Sequence, residues 1–178
     1  MSIKKRYFLD VGFYIGKALD YYAPLMDETW EVYVFEPNLE LNVAESVKRF
    51  PFSVHWIPKA VWTEDGEVDF RITTREDASH INSIRTSTDK KIKVPCIDFS
   101  RFVKELPKDA TIVCSFDGEG AEYPVLRKML KEGTAQRISL LDIEFHHRLL
   151  LDEDNATSST LRMALEREGV LVKLKLEL

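Results

Sequence analysis

Short apolar runs that end in glycine or a carboxylate recur along this chain, with amphipathic stretches between them. No other feature restricts the fold as much. Tyr7–Val11 stops at Gly12, Glu31–Phe35 at Glu36 and Pro37, Thr111–Phe116 at Asp117 and Gly118, and Ile138–Phe145 at His146. Such runs, rich in β-branched and aromatic residues, read as strands buried on both faces. The stretches after them carry apolar residues at helical spacing. Ala18, Leu19, Tyr22, Leu25 and Met26 follow the first run, with Pro24 shortening or kinking that helix. Leu39–Phe50 follows the second, with Asn38 as a plausible N-cap. Ala121–Lys131 follows Asp117 and is closed by Gly133. Asp98 or Ser100 would cap a short helix through Leu106. Ser158 or Ser159 would cap a last helix ended by Gly169, before a final strand over Val170–Leu178.

Strand–helix alternation of this kind predicts an α/β fold, a three-layer αβα sandwich around a mostly parallel, Rossmann-like sheet. One interruption stands near the middle. After Val54–Ile57 and Ala60–Trp62, the turn Thr63–Gly66 leads into Val68, Phe70 and Ile72 alternating with charged residues, which reads as an inserted β-hairpin. The polar stretch Thr73–Lys91 then reads as a long loop of the kind that covers a site. At 178 residues, without a repeat or linker, the chain is expected to be a single domain.

Charge narrows the partners. The net charge is -5 and the basic residues are scattered, so nucleic acid is not expected. No apolar run reaches the length of a membrane span, and no apolar h-region follows the basic N-terminus, so neither membrane insertion nor a signal peptide is expected. Cys96 and Cys114 sit in strand-like runs and read as buried thiols in a reducing, cytoplasmic setting. A monomer or a homodimer is expected.

In open α/β sheets ligands bind beyond the carboxyl ends of the strands. The residues there are Asp10, Gly12 and Gly16, then Glu36 and Asn38, then Ala60 and Val61, then Asp117 and Glu119, then Glu144 and His146. Gly12 and Gly16 allow a tight turn and close approach of the backbone to a ligand. Glu36, about 20 residues beyond that turn, suits the diol of a ribose. Tyr14 stands where a dinucleotide fingerprint needs its second glycine, which weighs against a nicotinamide or flavin cofactor. Taken alone, a glycine pair of this kind is more often a structural turn and a strand-end acid more often a solvated carboxylate; their order and spacing carry the reading.

The motifs taken in order resemble a known family. FLDVGFYIG is similar to the first S-adenosylmethionine motif of class I methyltransferases. VYVFEPN, AVWTEDGEVDF, SFDGEGAEYPVLRKML and LLDIEFHH resemble, in that order, the FkbM family of O-methyltransferases. The resemblance implies S-adenosylmethionine as cofactor, with Asp10, Gly12 and Gly16 in its loop. It implies Glu36 on the ribose with Asn38 beside it, Ala60 and Val61 flanking adenine, and Asp117 near the methyl group. It also implies a hydroxyl acceptor on a sugar, a glycan or another small molecule. Phe13 and Tyr14 depart from the small or polar residues usual in the family, Ser115 from a lysine, and Gly118 from a β-branched residue.

An acceptor hydroxyl needs a base or a metal. His146 is the first candidate base, since histidine titrates near neutrality, followed by Asp117, with Glu119 alongside. A divalent cation held by Asp117 with Glu119 or Glu144 is the other reading. The bulky Phe13 and Tyr14 leave open a methyltransferase-like binding protein without catalysis. A nicotinamide enzyme and a protein or RNA methyltransferase are more distant rivals.

Overall fold

The computed structural model describes residues 4–72, 80–81, 90–146 and 153–175. Six strands form one fully parallel sheet: β1 (Arg6–Val11), β2 (Trp30–Phe35), β3 (Val54–Ile57), β8 (Thr111–Phe116), β9 (Leu140–Ile143) and β10 (Leu171–Leu174). Their order is β10-β9-β8-β1-β2-β3. The chain moves outward from β1 in one direction, then returns to the other side of β1 and moves outward again. The reversal lies between β1 and β8, and a crevice opens there at the carboxyl ends.

The expected hairpin belongs to a second sheet. β5 (Gly66–Ile72) pairs antiparallel with β7 (Lys90–Asp98) and with β6 (His80–Ile81), while β4 (Ala60–Trp62) runs parallel to β7. The sheet order is β4-β7-β5-β6. Ala60 and Val61 therefore lie at the start of this second sheet and not on the main one. Of the expected loop over Thr73–Lys91, residues 73–79 and 82–89 lie outside the described residues.

Two apolar clusters sandwich the main sheet. On one face Phe8, Val32 and Val34 pack with Phe13, Leu19 and Tyr22 from the first crossover and Val43 from the second. On the other face Leu9, Val11, Cys114, Phe116, Leu141 and Ile143 pack beneath α3 (Phe99–Glu105), α4 (Glu122–Glu132) and α5 (Asn155–Arg167), and the second sheet joins the same cluster through Val61, Val68 and Phe70. The alternation of Phe8 and Leu9 to opposite faces is the period-two geometry of a strand buried on both sides. Cys96 and Cys114 are both buried and unpaired.

Several local expectations change. Helix α1 (Lys17–Tyr22) is short, and Pro24 falls in the 3₁₀ turn Ala23–Leu25 that ends it. The helix expected over Leu39–Phe50 is reduced to α2 (Val43–Ser46) and a 3₁₀ turn. Asn38 is not its N-cap. Its side-chain oxygen instead accepts the Glu40 N–H at 3.0 Å, closing a local turn that delays the helix. Asp98 caps α3 by accepting the Arg101 N–H at 3.1 Å, while Ser100 is buried against Glu132 and Thr134. Asp154, not Ser158 or Ser159, caps α5 through the Thr157 N–H at 2.7 Å. Among the described residues, no helix is long and apolar enough to cross a membrane.

Candidate functional site

A cavity of about 650 Å³ opens at the reversal point. Its lining includes Gly12, Glu36, Asn38, Ala60, Val61, Asp117, Glu119 and Glu144, brought from the carboxyl ends of β1, β2, β8 and β9 and from the start of β4. Gly16 and Asp10 stand behind this surface. Both glycines of the first loop have left-handed backbones, with φ of 77° at Gly12 and 87° at Gly16. A Cβ on Gly12 would fall 1.9 Å from the Asp117 carbonyl oxygen. The glycine is needed for the close passage of the β1 and β8 exits. A Cβ on Gly16 would fall 2.7 Å from the Phe13 ring.

That contact explains what Phe13 does. Its side chain is buried in the apolar cluster with Leu19, Tyr22 and Val43, and Phe13 and Tyr14 both also line the cavity. Tyr14 holds a positive φ of 49° and turns its backbone N–H to the Glu36 carboxylate at 2.9 Å. The Asn38 N–H reaches the other Glu36 oxygen at 2.8 Å. Burial raises the Glu36 pKa, and these two donors work against the rise. Each carboxylate oxygen keeps a further lone pair for a ligand hydroxyl.

Asp10 is the least satisfied group nearby. It is buried beside the Ser115 hydroxyl, and neither carboxylate oxygen makes a well-formed hydrogen bond among the described residues. Burial pushes its pKa up to about 7, against the pull of Lys175.

The other end of the crevice gathers charge around one imidazole. His146 Nδ1 lies 2.9 Å from Glu122 Oε1. Its Nε2 lies 3.5 Å from Glu144, 3.6 Å from Asp117 and 3.6 Å from Glu119. Burial opposes a charged ring, but contacts with Glu122 and Glu144 and the field of Glu119 outweigh it and raise the His146 pKa to about 11. The surrounding acids thus favour the charged ring, which works against His146 acting as a base. Asp117 and Glu119, the other candidates expected for the base, lie 3.6 Å from its Nε2. Burial raises Asp117, with Lys175 and His146 opposing, and lifts Glu119 to about 8. The hydrogen bond from His146 lowers Glu144.

Glu122 was not singled out from the sequence. It is fully buried and accepts the Gly118 N–H at 2.9 Å and the Gly120 N–H at 2.8 Å as well as bonding His146. One carboxylate thus shapes the Asp117–Gly120 loop and fixes the imidazole. The signal was present in Asp-Gly-Glu-Gly-Ala-Glu, whose last acid stands at the first turn of α4. Tyr22, Asp142, Lys173 and Lys175 also line the cavity and were not foreseen.

For a metal, Asp117, Glu119 and His146 each offer a donor atom, all within 4.8 Å of one another. Glu144, the alternative partner expected for Asp117, is outside that group. His55 is exposed and stacks on Tyr33, away from the cavity. His147 and the side chain of His80 lie outside the described residues.

The profile of the methyltransferase FkbM domain matches residues 10–170. No curated protein sequence and no solved structure matches the chain. The matched span contains every cavity residue named above except Lys173 and Lys175.

Proposed function

We propose that this chain, which belongs to the FkbM methyltransferase family, is an S-adenosylmethionine-dependent O-methyltransferase. Its acceptor is a hydroxyl of a small molecule, with a sugar or glycan favoured. The observation that carries the reading is one cavity whose lining joins Glu36, the Gly12 turn, Asp117 and Glu119, with His146 3.6 Å from each of those two acids. Bound there, the cofactor supplies an electrophilic methyl carbon on a sulfonium.

The protein's own residues then have separable tasks. Glu36 accepts hydrogen bonds from the ribose diol, with its carboxylate already aimed by the Tyr14 and Asn38 N–H groups. Buried Ala60 and Val61 give adenine an apolar seat. Asp117 takes the proton of the acceptor hydroxyl as the oxygen attacks, with Glu119 alongside, and a charged His146 works against the rise that burial imposes on both acids. The alignment of acceptor and methyl carbon, with water excluded, supplies much of the rate.

The test is incubation with S-adenosylmethionine and a panel of sugars and glycans, read by S-adenosylhomocysteine release and product mass. Turnover with a hydroxyl acceptor is expected. A folded sample that binds neither S-adenosylmethionine nor S-adenosylhomocysteine would refute the reading and leave a binding protein without catalysis. A second reading rests on the three converging donors: a divalent cation on Asp117, Glu119 and His146 would lower the acceptor's pKa in place of a protein base. Turnover unchanged by exhaustive chelation would remove it.

A further inference from the structure

A parallel sheet is ordinarily covered on both faces. Here α3, α4 and α5 all pack on one face of the main sheet, and α1 covers β1 and β2 on the other. Among the described residues, no helix covers β9 and β10 on the α1 side. β10 is also the edge of the sheet.

The bare face has an apolar floor. Parallel register sets Val113 beside Leu140 and Leu140 beside Leu171. Leu141, Ile143 and Val172 point into the cluster under α5, so alternation turns Leu140 and Leu171 to the bare side. Leu140 packs into neither apolar cluster of the described residues, and Leu171 is 66% exposed. A ridge borders this shelf. Tyr22 packs on Phe8 and donates its hydroxyl to Asp142 at 2.6 Å, and the Lys173 ammonium sits 4.8 Å from the Tyr21 ring centroid, so the end of α1 lies beside β9 and β10. Tyr21 is 65% exposed, and Leu25, in the 3₁₀ turn that follows, is 73% exposed. Singly exposed leucines are ordinary, but an apolar ridge beside an apolar shelf is a continuous surface of the kind that marks a protein contact.

What fits a ridge beside a shelf is the same surface turned about a twofold axis. Tyr21 and Leu25 of each copy then lie on Leu140 and Leu171 of the other, and the contact closes on itself. The charges agree with that rotation. Lys173 stands at the shelf with its side chain 48% exposed. Glu28 follows the ridge, exposed and without an ion-pair partner among the described residues. Turning one copy onto the other brings each Lys173 toward the other copy's Glu28, so the rims attract rather than repel.

We infer that two copies of this chain associate through this face, the ridge of each on the shelf of the other. Tyr21 and Lys173 also line the cavity, so the second copy walls its β10 side. The association stands or falls independently of the cofactor reading above. The test is sedimentation velocity of the whole chain at about 50 μM, where the mass of two chains is expected. Leu25→Glu on the ridge and Leu171→Glu on the shelf each bury an unpaired charge in both halves of the contact. Each should weaken association at least about tenfold, with the far-UV circular dichroism unchanged. Met163→Glu, at an exposed position of α5 on the opposite face, should leave the dimer as it is. If either glutamate variant does not fold, the double variant Leu25→Ser, Leu171→Ser gives the same reading. A wild-type chain that is monomeric at this concentration overturns the inference and leaves the face to a different occupant. A dimer that both glutamate variants leave intact places the contact elsewhere on the chain and also overturns it.

Discussion

Replacing Glu122 with glutamine isolates the group on which the charged end of the site is built. The wild-type carboxylate is fully buried and meets three donors: Gly118 N–H, Gly120 N–H and His146 Nδ1. An amide of the same shape has one acceptor oxygen. If that oxygen keeps Gly118 and His146, the new NH₂ faces the Gly120 N–H. If it turns to Gly120, two donors are left facing NH₂. At least one buried donor is unpaired in either case, at about 1–3 kcal/mol, and the remaining bonds lose their charge assistance. The expected loss is about 3 kcal/mol, toward the lower end of what breaking a buried charged pair costs. For a chain of this size that lowers Tm by about 6–12 °C. The assay is thermal and denaturant unfolding of both proteins at pH 7. The His146 pKa is raised from 6.5 to about 11, so its stabilisation is complete below about pH 6.5 and is lost as pH rises through 11. The gap between wild type and Glu122→Gln should therefore narrow toward pH 11. A Tm change below about 2 °C, or a gap that is flat in pH, would refute the reasoning.

Other outcomes follow from the same geometry. By proton NMR, His146 should remain imidazolium from pH 6 to 9, and a midpoint below 8 would contradict the carboxylate cage. Gly12→Ala should cost at least about 2 kcal/mol in denaturant unfolding, from its left-handed backbone and the displaced Asp117 carbonyl, and a loss under about 1 kcal/mol would count against the close passage of β1 and β8. Glu36→Gln should weaken S-adenosylhomocysteine binding at least about tenfold, since charged hydrogen bonds contribute about 1.5–3 kcal/mol, and unchanged affinity in calorimetry would remove Glu36 from the ribose. Asp10, raised to about 7 by burial, holds its proton more tightly folded than unfolded, so its contribution falls as pH rises from 3.8 through 7. Asp10→Asn should then gain stability relative to wild type between pH 5 and pH 8, and parallel pH profiles would refute that assignment.

Strand positions and the strand-end residues were legible because burial on both faces leaves a strong local mark. Tyr7–Val11 and Thr111–Phe116 can hardly be anything else, and Gly12 and Asp117 follow directly from where those runs stop. Helix boundaries were less legible where polar side chains competed. Asn38 spent its oxygen on Glu40 rather than on a cap, and Asp154 displaced the two serines because it bonds both the N–H and the hydroxyl of Thr157. Phe13 illustrates a different limit. Its place in the Gly12–Gly16 turn suggested a reshaped pocket, and Phe13 and Tyr14 do line the cavity, but a residue's identity does not say how much of its side chain goes to the core. The Gly16 backbone and the Leu19–Tyr22 face of α1 draw it into the core.

The charged end was the hardest to read, since its meaning lies in lateral register. Asp142 and Lys173 are far apart in sequence and become neighbours only because β9 and β10 pair in one register; a slip of one residue would send Asp142 and Lys173 to opposite faces. That register is fixed by Leu141, Ile143, Leu161 and Leu165 packing into the cluster under α5. Apolar residues on one face thus decide which charges meet on the other. His146 shows the same dependence: as an isolated histidine it is a natural base, but four carboxylates brought from the ends of β8 and β9 and from α4 surround it and favour its charged form. The chemistry assigned to this site therefore depends on the packing beneath it as much as on the residues in it.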